Sequence, residues 1–225
     1  MLSVGAPTGL LLLRELYAPR PVGTELLSDR LTYIYMLVAT AIVLAVFGFI
    51  VGQQADSLAE LSHTDALTGL ANRRALSVQL QRELRRSVRY GVPASLLLID
   101  VDGLKAVNDR DGHSAGDRVI RNVADAITAG LRDTDFGARW GGDEFAIVAP
   151  NTTTEAAVRS AERLVVRVAN GRSGRGIRRS VTVSIGIATF DPAQEKECDL
   201  EQLVRMADDA LYRAKGSGRN RVEAA

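Results

Sequence analysis

The sequence has a single cysteine, Cys198, so an internal disulfide is impossible, and with only two histidines beside it a structural zinc site from these ligands is excluded. Proline is scarce, six in 225 residues, which excludes a proline-rich spacer architecture. No charge of one sign dominates: 28 Lys and Arg stand against 27 Asp and Glu, a net +1, which argues against a strongly basic nucleic-acid binder and predicts no nucleic-acid partner. With 46% hydrophobic and 24% charged residues the chain is not a disordered tail either. At about 100–200 residues per domain there is room for one full domain and an appendage. Internal repeats and low-complexity tracts are lacking, and a reducing compartment fits the folded part.

What is present is unevenly spread. From Leu31 to Gly52 the chain runs 22 residues without a charge, about 33 Å as helix, enough for a hydrocarbon core of about 30 Å. Tyr33 and Tyr35 lie near one end, where an aromatic belt would place them. These features predict a transmembrane helix over 31–52, after a short N-terminal segment, 1–30, too small for a sensory domain of its own. Residues 53–64 follow as a helical connector with Leu58 and Leu61 three apart, able to extend the span into a dimeric coil or act as a rigid spacer. The basic residues before the span, Arg14, Arg20 and Arg30, favour an inside N-terminus, whereas the site chemistry below needs the C-terminal part inside; the second consideration is given priority.

From Asp65 to the end, 65–225, the pattern is mixed. Helices are predicted over 72–90, 117–131, 153–169 and 200–215 from apolar residues at helical spacing. Ala94–Val101 is a continuous apolar run ended by acids, the mark of a strand buried on both faces. Phe136–Trp140 and Glu144–Val148 flank Gly141-Gly142 and predict a hairpin, and Val181–Thr189 predicts a further strand. The fold class is therefore α/β of the α+β kind: a sheet of about five strands, mostly antiparallel, covered by helices.

Asp100 and Asp102 close the first core strand, and Asp143 and Glu144 follow the two glycines of the hairpin. Were those strands neighbours, the carboxylates would converge at one sheet edge, where mutual repulsion calls for a cation. Hard oxygen donors with no His or Cys favour Mg2+ or Mn2+. Paired glycines let backbone approach a ligand. The constellation suggests metal-assisted phosphoryl transfer on a nucleotide.

Arg139-Trp140-Gly141-Gly142-Asp143-Glu144-Phe145 contains GGDEF in full, and from Asp65 to about Val222 the chain resembles diguanylate cyclase domains, which condense two GTP into cyclic di-GMP and pyrophosphate. Further blocks carry the likeness in order: Asp65-Ala66-Leu67-Thr68-Gly69-Leu70-Ala71-Asn72-Arg73-Arg74, then Asp100 to Asp109 with Gly112 to Asp117, then Ser184 to Ala188, then Ala207 to Tyr212 with Lys215 and Gly218-Arg219-Asn220. One departure is Leu104, where the family usually has Phe.

The resemblance implies a ferredoxin-like, palm-type sheet and a role for each matching position. Asp100, the carbonyl of Val101 and Asp143 would hold the metal, with Glu144 helping. Asp143 would also take the proton of the attacking 3′-OH, and Lys105 would offset charge developing on the phosphates. Gly103 and Leu104 would offer amides to phosphate, Asn108 and Asp117 would read the guanine edge, Gly142 would face the ribose, and Lys215 and Arg219 the terminal phosphates. Arg132 and Asp135 match a product-inhibition site for cyclic di-GMP, with Arg139 assisting. Because each domain binds one GTP and the product needs two, a homodimer is implied, anchored in a bacterial inner membrane by a single pass with its catalytic domain cytoplasmic.

Plainer roles exist for several of these residues: Asp117 as a helix N-cap, Asn108 as a turn residue, Lys215 and Arg219 as helix-end cations, Asp102 as structural, His113 and Trp140 as packing. Arg172, Arg175, Arg178 and Arg179 read as a solvated loop, with anionic lipid or nucleotide as the alternative. The competing function is a catalytically silent cyclic di-GMP receptor working through Arg132 and Asp135, against which the complete acids and Lys105 speak. A cyclase that also accepts ATP is a third reading.

Overall fold

The computed structural model describes residues 30–61, 63–171, 181–195 and 198–225. Arg14, Arg20 and the arginine loop from Arg172 to Arg179 lie outside them, as do the side chains of Leu58 and Leu61. The chain divides into two compact units, Met1–Ser62 and His63–Ala225.

In the first unit one helix, α1 (Arg30–Leu61), runs unbroken for 32 residues, so span and connector are continuous. Ile34–Gly52 is long and apolar enough to cross a membrane, and none of it is buried. Phe47 and Phe49, two-thirds exposed at 64% and 66%, lie about 200° apart around the axis, so the helix is apolar on opposite faces rather than along one stripe. The Thr40 hydroxyl donates to the Met36 carbonyl at 2.7 Å, satisfying its own polarity inside the helix.

The second unit runs β1 (Ala71–Asn72), α2 (Arg73–Tyr90), β2 (Ala94–Asp102), α3 (Leu104–Asp111), α4 (His113–Thr128), β3 (Phe136–Arg139), β4 (Glu144–Pro150), α5 (Thr154–Asn170), β5 (Thr182–Phe190), α6 (Leu200–Gly216) and β6 (Val222–Ala224). The strands form one sheet in the order β1-β3-β4-β2-β5-β6. Central β2 is antiparallel to β4 and β5 on either side, and β3 is antiparallel to β4. The count is six rather than about five, because β1 and β6 add short parallel edges beside β3 and β5.

Alternation along β2 explains its unbroken apolar run. Leu97, Ile99 and Val101 face a core with α4 and α5, while Leu96 and Leu98 face a second core with α2 and α6. Both sheet faces are thus covered, and every residue from Ala94 to Ile99 is buried, as is Val101. Gly186 of β5 lets α6 come close: a Cβ there would lie 2.1 Å from the Ala207 carbonyl oxygen and 2.2 Å from the Leu211 nitrogen.

Helix boundaries follow local chemistry. Asn72 caps α2 by accepting from the Ala75 amide at 3.0 Å, and Gly91 at φ 66° closes it in the left-handed conformation just before Pro93. Asp199 caps α6 through the Gln202 amide. Helix α4 begins at His113, four residues before the predicted start, so Asp117 is an exposed residue within the helix and not its N-cap.

Candidate active site

The carboxyl end of β2 is the meeting point. In register, Asp100 stands opposite Glu144 on β4 and opposite Ser184 on β5. The Val101 amide donates to the Asp143 carbonyl at 3.1 Å, which extends the ladder into the hairpin tip. Trp140 and Gly141 amides both donate to the Glu144 carbonyl, at 2.8 and 3.2 Å, and close that tip. The two strands are neighbours, the condition on which the sequence reading rested, and Asp100, Asp143 and Glu144 are brought to one sheet edge.

Crowding perturbs these acids. Burial pushes the Asp100 carboxyl above the usual carboxylate range; Lys215 works against this, and the charges of Asp143 and Asp102 add to it. Burial and then the Asp100 charge likewise raise Glu144, with smaller contributions from Asp143 and from Asp208 of α6. The Lys215 ammonium, one residue from the end of α6, sits 2.8 Å from Asp100 Oδ2.

Asp102 faces a different set of partners. It accepts from the Thr182 hydroxyl at 2.7 Å, the Ser184 hydroxyl at 2.8 Å and the Asn220 amide at 3.2 Å, with Arg219 Nε 3.9 Å away. Its oxygens are committed to binding β5 and the C-terminal turn to β2, in line with a structural role. Arg219 and Asn220 have φ of 62° and 50°, a left-handed turn that non-glycine residues seldom adopt and that this carboxylate helps hold.

Gly103 turns the chain at φ 75° and opens α3. Its carbonyl accepts from the Ala106 and Val107 amides, so the amides of Leu104 and Lys105 stand at the helix mouth, the end that attracts anions. Lys105 is exposed there, and Leu104 packs against the core in place of an aromatic ring. Gly142 is exposed, with open space where a side chain would stand.

Asn108 of α3 lies against α4. Its Oδ1 is buried and lacks a hydrogen-bond partner among the described residues, and a Cβ on Gly116 would lie 1.9 Å from it. A buried amide oxygen without a partner is costly unless a ligand supplies one. Gly116 therefore makes room for Asn108, one residue before Asp117. Sequence reasoning missed this because it began the helix at Asp117; only with the start at His113 does Gly116 stand inside a helix, where a glycine costs about 1 kcal/mol against alanine without some compensating contact.

Asp65 was the other omission. Its oxygens hold the Thr68 amide and hydroxyl at 2.9 and 2.7 Å and receive the Arg139 guanidinium at 3.2 Å. Arg139 in turn donates to the carbonyls of Gly141 and Gly142 at 3.1 and 2.7 Å. Arg139 thus shapes the tip. Trp140 packs in the core with α2 and carries the Arg73 guanidinium 4.4 Å above its ring. His113 is exposed at the start of α4.

Arg132 and Asp135 form a separate site in the turn between α4 and β3. The Arg132 amide donates to Asp135 Oδ2 at 3.0 Å, while Asp135 Oδ1 is buried and without a partner among the described residues. Both residues line a cavity of about 40 Å³ with Arg163 and Arg167 of α5, neither of which the sequence reading singled out. That volume has room for a few waters, not a base.

Residues 62–221 match the family described as "Diguanylate cyclase, GGDEF domain". The chain belongs to the GGDEF family. It is 42% identical over 161 residues to "Diguanylate cyclase DosC" of Escherichia coli K12, covering 71% of this chain and 34% of that protein. This chain therefore spans about a third of the length of such curated relatives. Among solved structures, the GGDEF domain of DgcB from Caulobacter crescentus in complex with c-di-GMP has 36% identity and a TM-score of 0.66, covering 72% of this chain and 92% of that one. A second DgcB structure, of its coiled coil and GGDEF domain with c-di-GMP, has 33% identity and a TM-score of 0.66, covering 89% and 100%. The GGDEF fold accounts for the architecture: a mixed, mostly antiparallel sheet covered by helices.

Proposed function

We propose that this GGDEF chain is a diguanylate cyclase, which joins two GTP into cyclic di-GMP and releases two pyrophosphates. The observation that carries the reading is the gathering of Asp100, Asp143 and Glu144 at one sheet edge, with Lys215 on Asp100 and the unpartnered oxygen of Asn108 on the neighbouring helix. Residues 65–225 would form the catalytic domain.

The donor set suits a divalent ion of the Mg2+ or Mn2+ kind. The oxygens are hard, burial and mutual repulsion hold Asp100 and Glu144 above the usual carboxylate range, and an opposite charge would relieve both. Although these acids share one sheet edge, no three His, Cys, Asp or Glu side chains among the described residues close around a single point, so phosphate and water oxygens would have to complete the ion's shell. Asp100, the Val101 carbonyl and Asp143, with Glu144, would hold it. When bound, such an ion would supply charge neutralisation and make the 3′-OH more acidic.

The chain's own groups do the rest. The α3 amides of Leu104 and Lys105 orient phosphate, and Gly142 leaves room for the ribose. Asp143 accepts the 3′-OH proton as that oxygen attacks the α-phosphorus of the facing GTP and pyrophosphate departs. Lys105, Lys215 and Arg219 offset the charge that grows on the leaving phosphates. Asn108 and Asp117 pair with guanine, and an adenine would leave the Asp117 carboxylate without matching donors.

Two half-sites must face each other, so the active species is a homodimer. Helix α1 would supply a single membrane pass over 31–52 and a connector over 53–64 that raises local concentration; a DgcB structure with a coiled coil is consistent with such a connector. GTP supply places the catalytic domain on the cytoplasmic side of the inner membrane. Arg132 and Asp135, with Arg163 beside them, would bind cyclic di-GMP and limit output.

Full-length protein in detergent, incubated with GTP and Mg2+ and resolved by chromatography, should form cyclic di-GMP, and Asp143→Ala should abolish it. No product from a folded dimer that binds cyclic di-GMP would replace the enzyme with a receptor.

A further inference from the structure

One contact at the site stands outside the proposed chemistry. Lys215 is assigned to the substrate's terminal phosphates, yet its ammonium lies 2.8 Å from Asp100 Oδ2, an oxygen the same chemistry needs for the ion. A side chain cannot serve both ends at once. The two assignments are compatible only as successive states.

We infer that Lys215 is a placeholder cation. It holds Asp100 while the site lacks nucleotide, keeps bare divalent ions from binding there, and leaves when triphosphate enters, so that ion and GTP bind together. This rests on the cyclase reading above and adds a positioning role within it.

The surroundings permit such an exchange. The backbone beyond Lys215 is tied down: the Arg219 amide donates to the Ala214 carbonyl at 3.1 Å and the Asn220 amide to Asp102 at 3.2 Å. The Lys215 side chain is a third exposed, whereas Asp100 is 14% exposed. Only the flexible four-carbon stem has to move, by rotation about its own bonds. The charges favour the order. Three carboxylates gathered at one edge need a cation, and a single ammonium partly supplies it. A triphosphate brings more negative charge than one divalent ion neutralises, so it offers the ammonium a better partner and returns Asp100 to the ion.

Linkage then makes the effect reciprocal: nucleotide raises ion affinity by the factor by which ion raises nucleotide affinity. Removing the ammonium removes the barrier to bare metal.

The test uses the full chain in detergent without nucleotide, titrated with Mn2+ and followed by the electron paramagnetic resonance of the free ion. Lys215→Met should bind Mn2+ about tenfold more tightly than the parent, equivalent to about 1.4 kcal/mol. The gain should vanish in Lys215→Met/Asp100→Asn. Lys105→Met, which removes a cation not paired with Asp100, should show no gain. Circular dichroism checks that each variant is folded. A folded Lys215→Met that binds Mn2+ no better than the parent overturns the placeholder role, and an equal gain in Lys105→Met overturns it in favour of a general field effect. Cyclic di-GMP formation by the parent, scored on the same preparation, tests the cyclase reading separately.

Discussion

Arg139 grips Asp65 from 74 positions away, placing one guanidinium nitrogen 3.2 Å from both carboxylate oxygens. The same guanidinium holds the carbonyls of Gly141 and Gly142. The first loop of the domain and the acidic hairpin are therefore one mechanical unit.

This pair should give a measurable pH dependence. Burial raises the Asp65 carboxyl, but hydrogen bonds from the Thr68 hydroxyl and amide and then the Arg139 charge outweigh it, so the folded pKa lies below the unfolded one. A depressed carboxyl stabilises above its unfolded pKa and loses that contribution as pH falls through the folded value. Asp65→Asn should cost about 1–2 kcal/mol in urea melts at pH 7, with the gap from the parent closing below about pH 4. A gap that stays constant down to pH 3 would exclude the ion pair as its source.

Gly186 is a steric test of the α6–β5 packing. A methyl group there meets backbone, 2.1 Å from the Ala207 oxygen, and backbone cannot swing aside as a side-chain tip can. Gly186→Ala should destabilise by about 1–3 kcal/mol. Denaturant midpoints decide it, and a loss below about 0.5 kcal/mol would mean that α6 shifts freely.

Asn108 and Gly116 should behave as a couple. Gly116→Ala displaces the Asn108 amide without touching any charged group, so the KM for GTP should rise about tenfold, the size of one lost hydrogen bond to substrate. Asn108→Ala should cost the same, and the double variant little more, because both act on one contact. Additive losses would separate the two residues.

Inhibition should depend on the turn between α4 and β3. Arg132→Ala and Asp135→Ala should each raise the cyclic di-GMP concentration for half-inhibition at least about tenfold, as loss of a charge-assisted bond does. Arg163→Ala should do so too if the α5 arginine completes the site. Initial-rate inhibition curves are the measurement, and unchanged curves for all three would place inhibition elsewhere.

The parts of the fold legible in the sequence are those with a strong apolar signal. Ala94–Asp102 announced itself because burial on both faces removes every polar residue from its middle, and the hairpin because two glycines divide two short apolar runs. The edge strands β1 and β6 escaped notice, since two or three residues carry no period. Helix α3 was not drawn as an element because Val107 alone of its eight residues is buried. The start of α4 was misplaced because Gly112 and Gly116 read as loop, although Gly116 is a contact surface for Asn108. At the site, the acids were legible from type and spacing, whereas the partners Asp65 and Arg163 depend on chain folding over long separations.

Asp102 also governs the last stretch of the chain. Its carboxylate holds the Asn220 amide, β6 zips onto β5 from Val222, and the Ala225 amide donates to the Ile187 carbonyl at 2.9 Å. The segment that carries Arg219 is thus stitched to the sheet on both sides of one unusual turn. A protease nick or a bulky fusion in these few residues would free the turn that carries Arg219 and take Val222 and Ala224 from the edge of the first core, while the second core keeps all its residues. On the cyclase reading, such a protein would keep most of its helix content by circular dichroism yet bind GTP weakly.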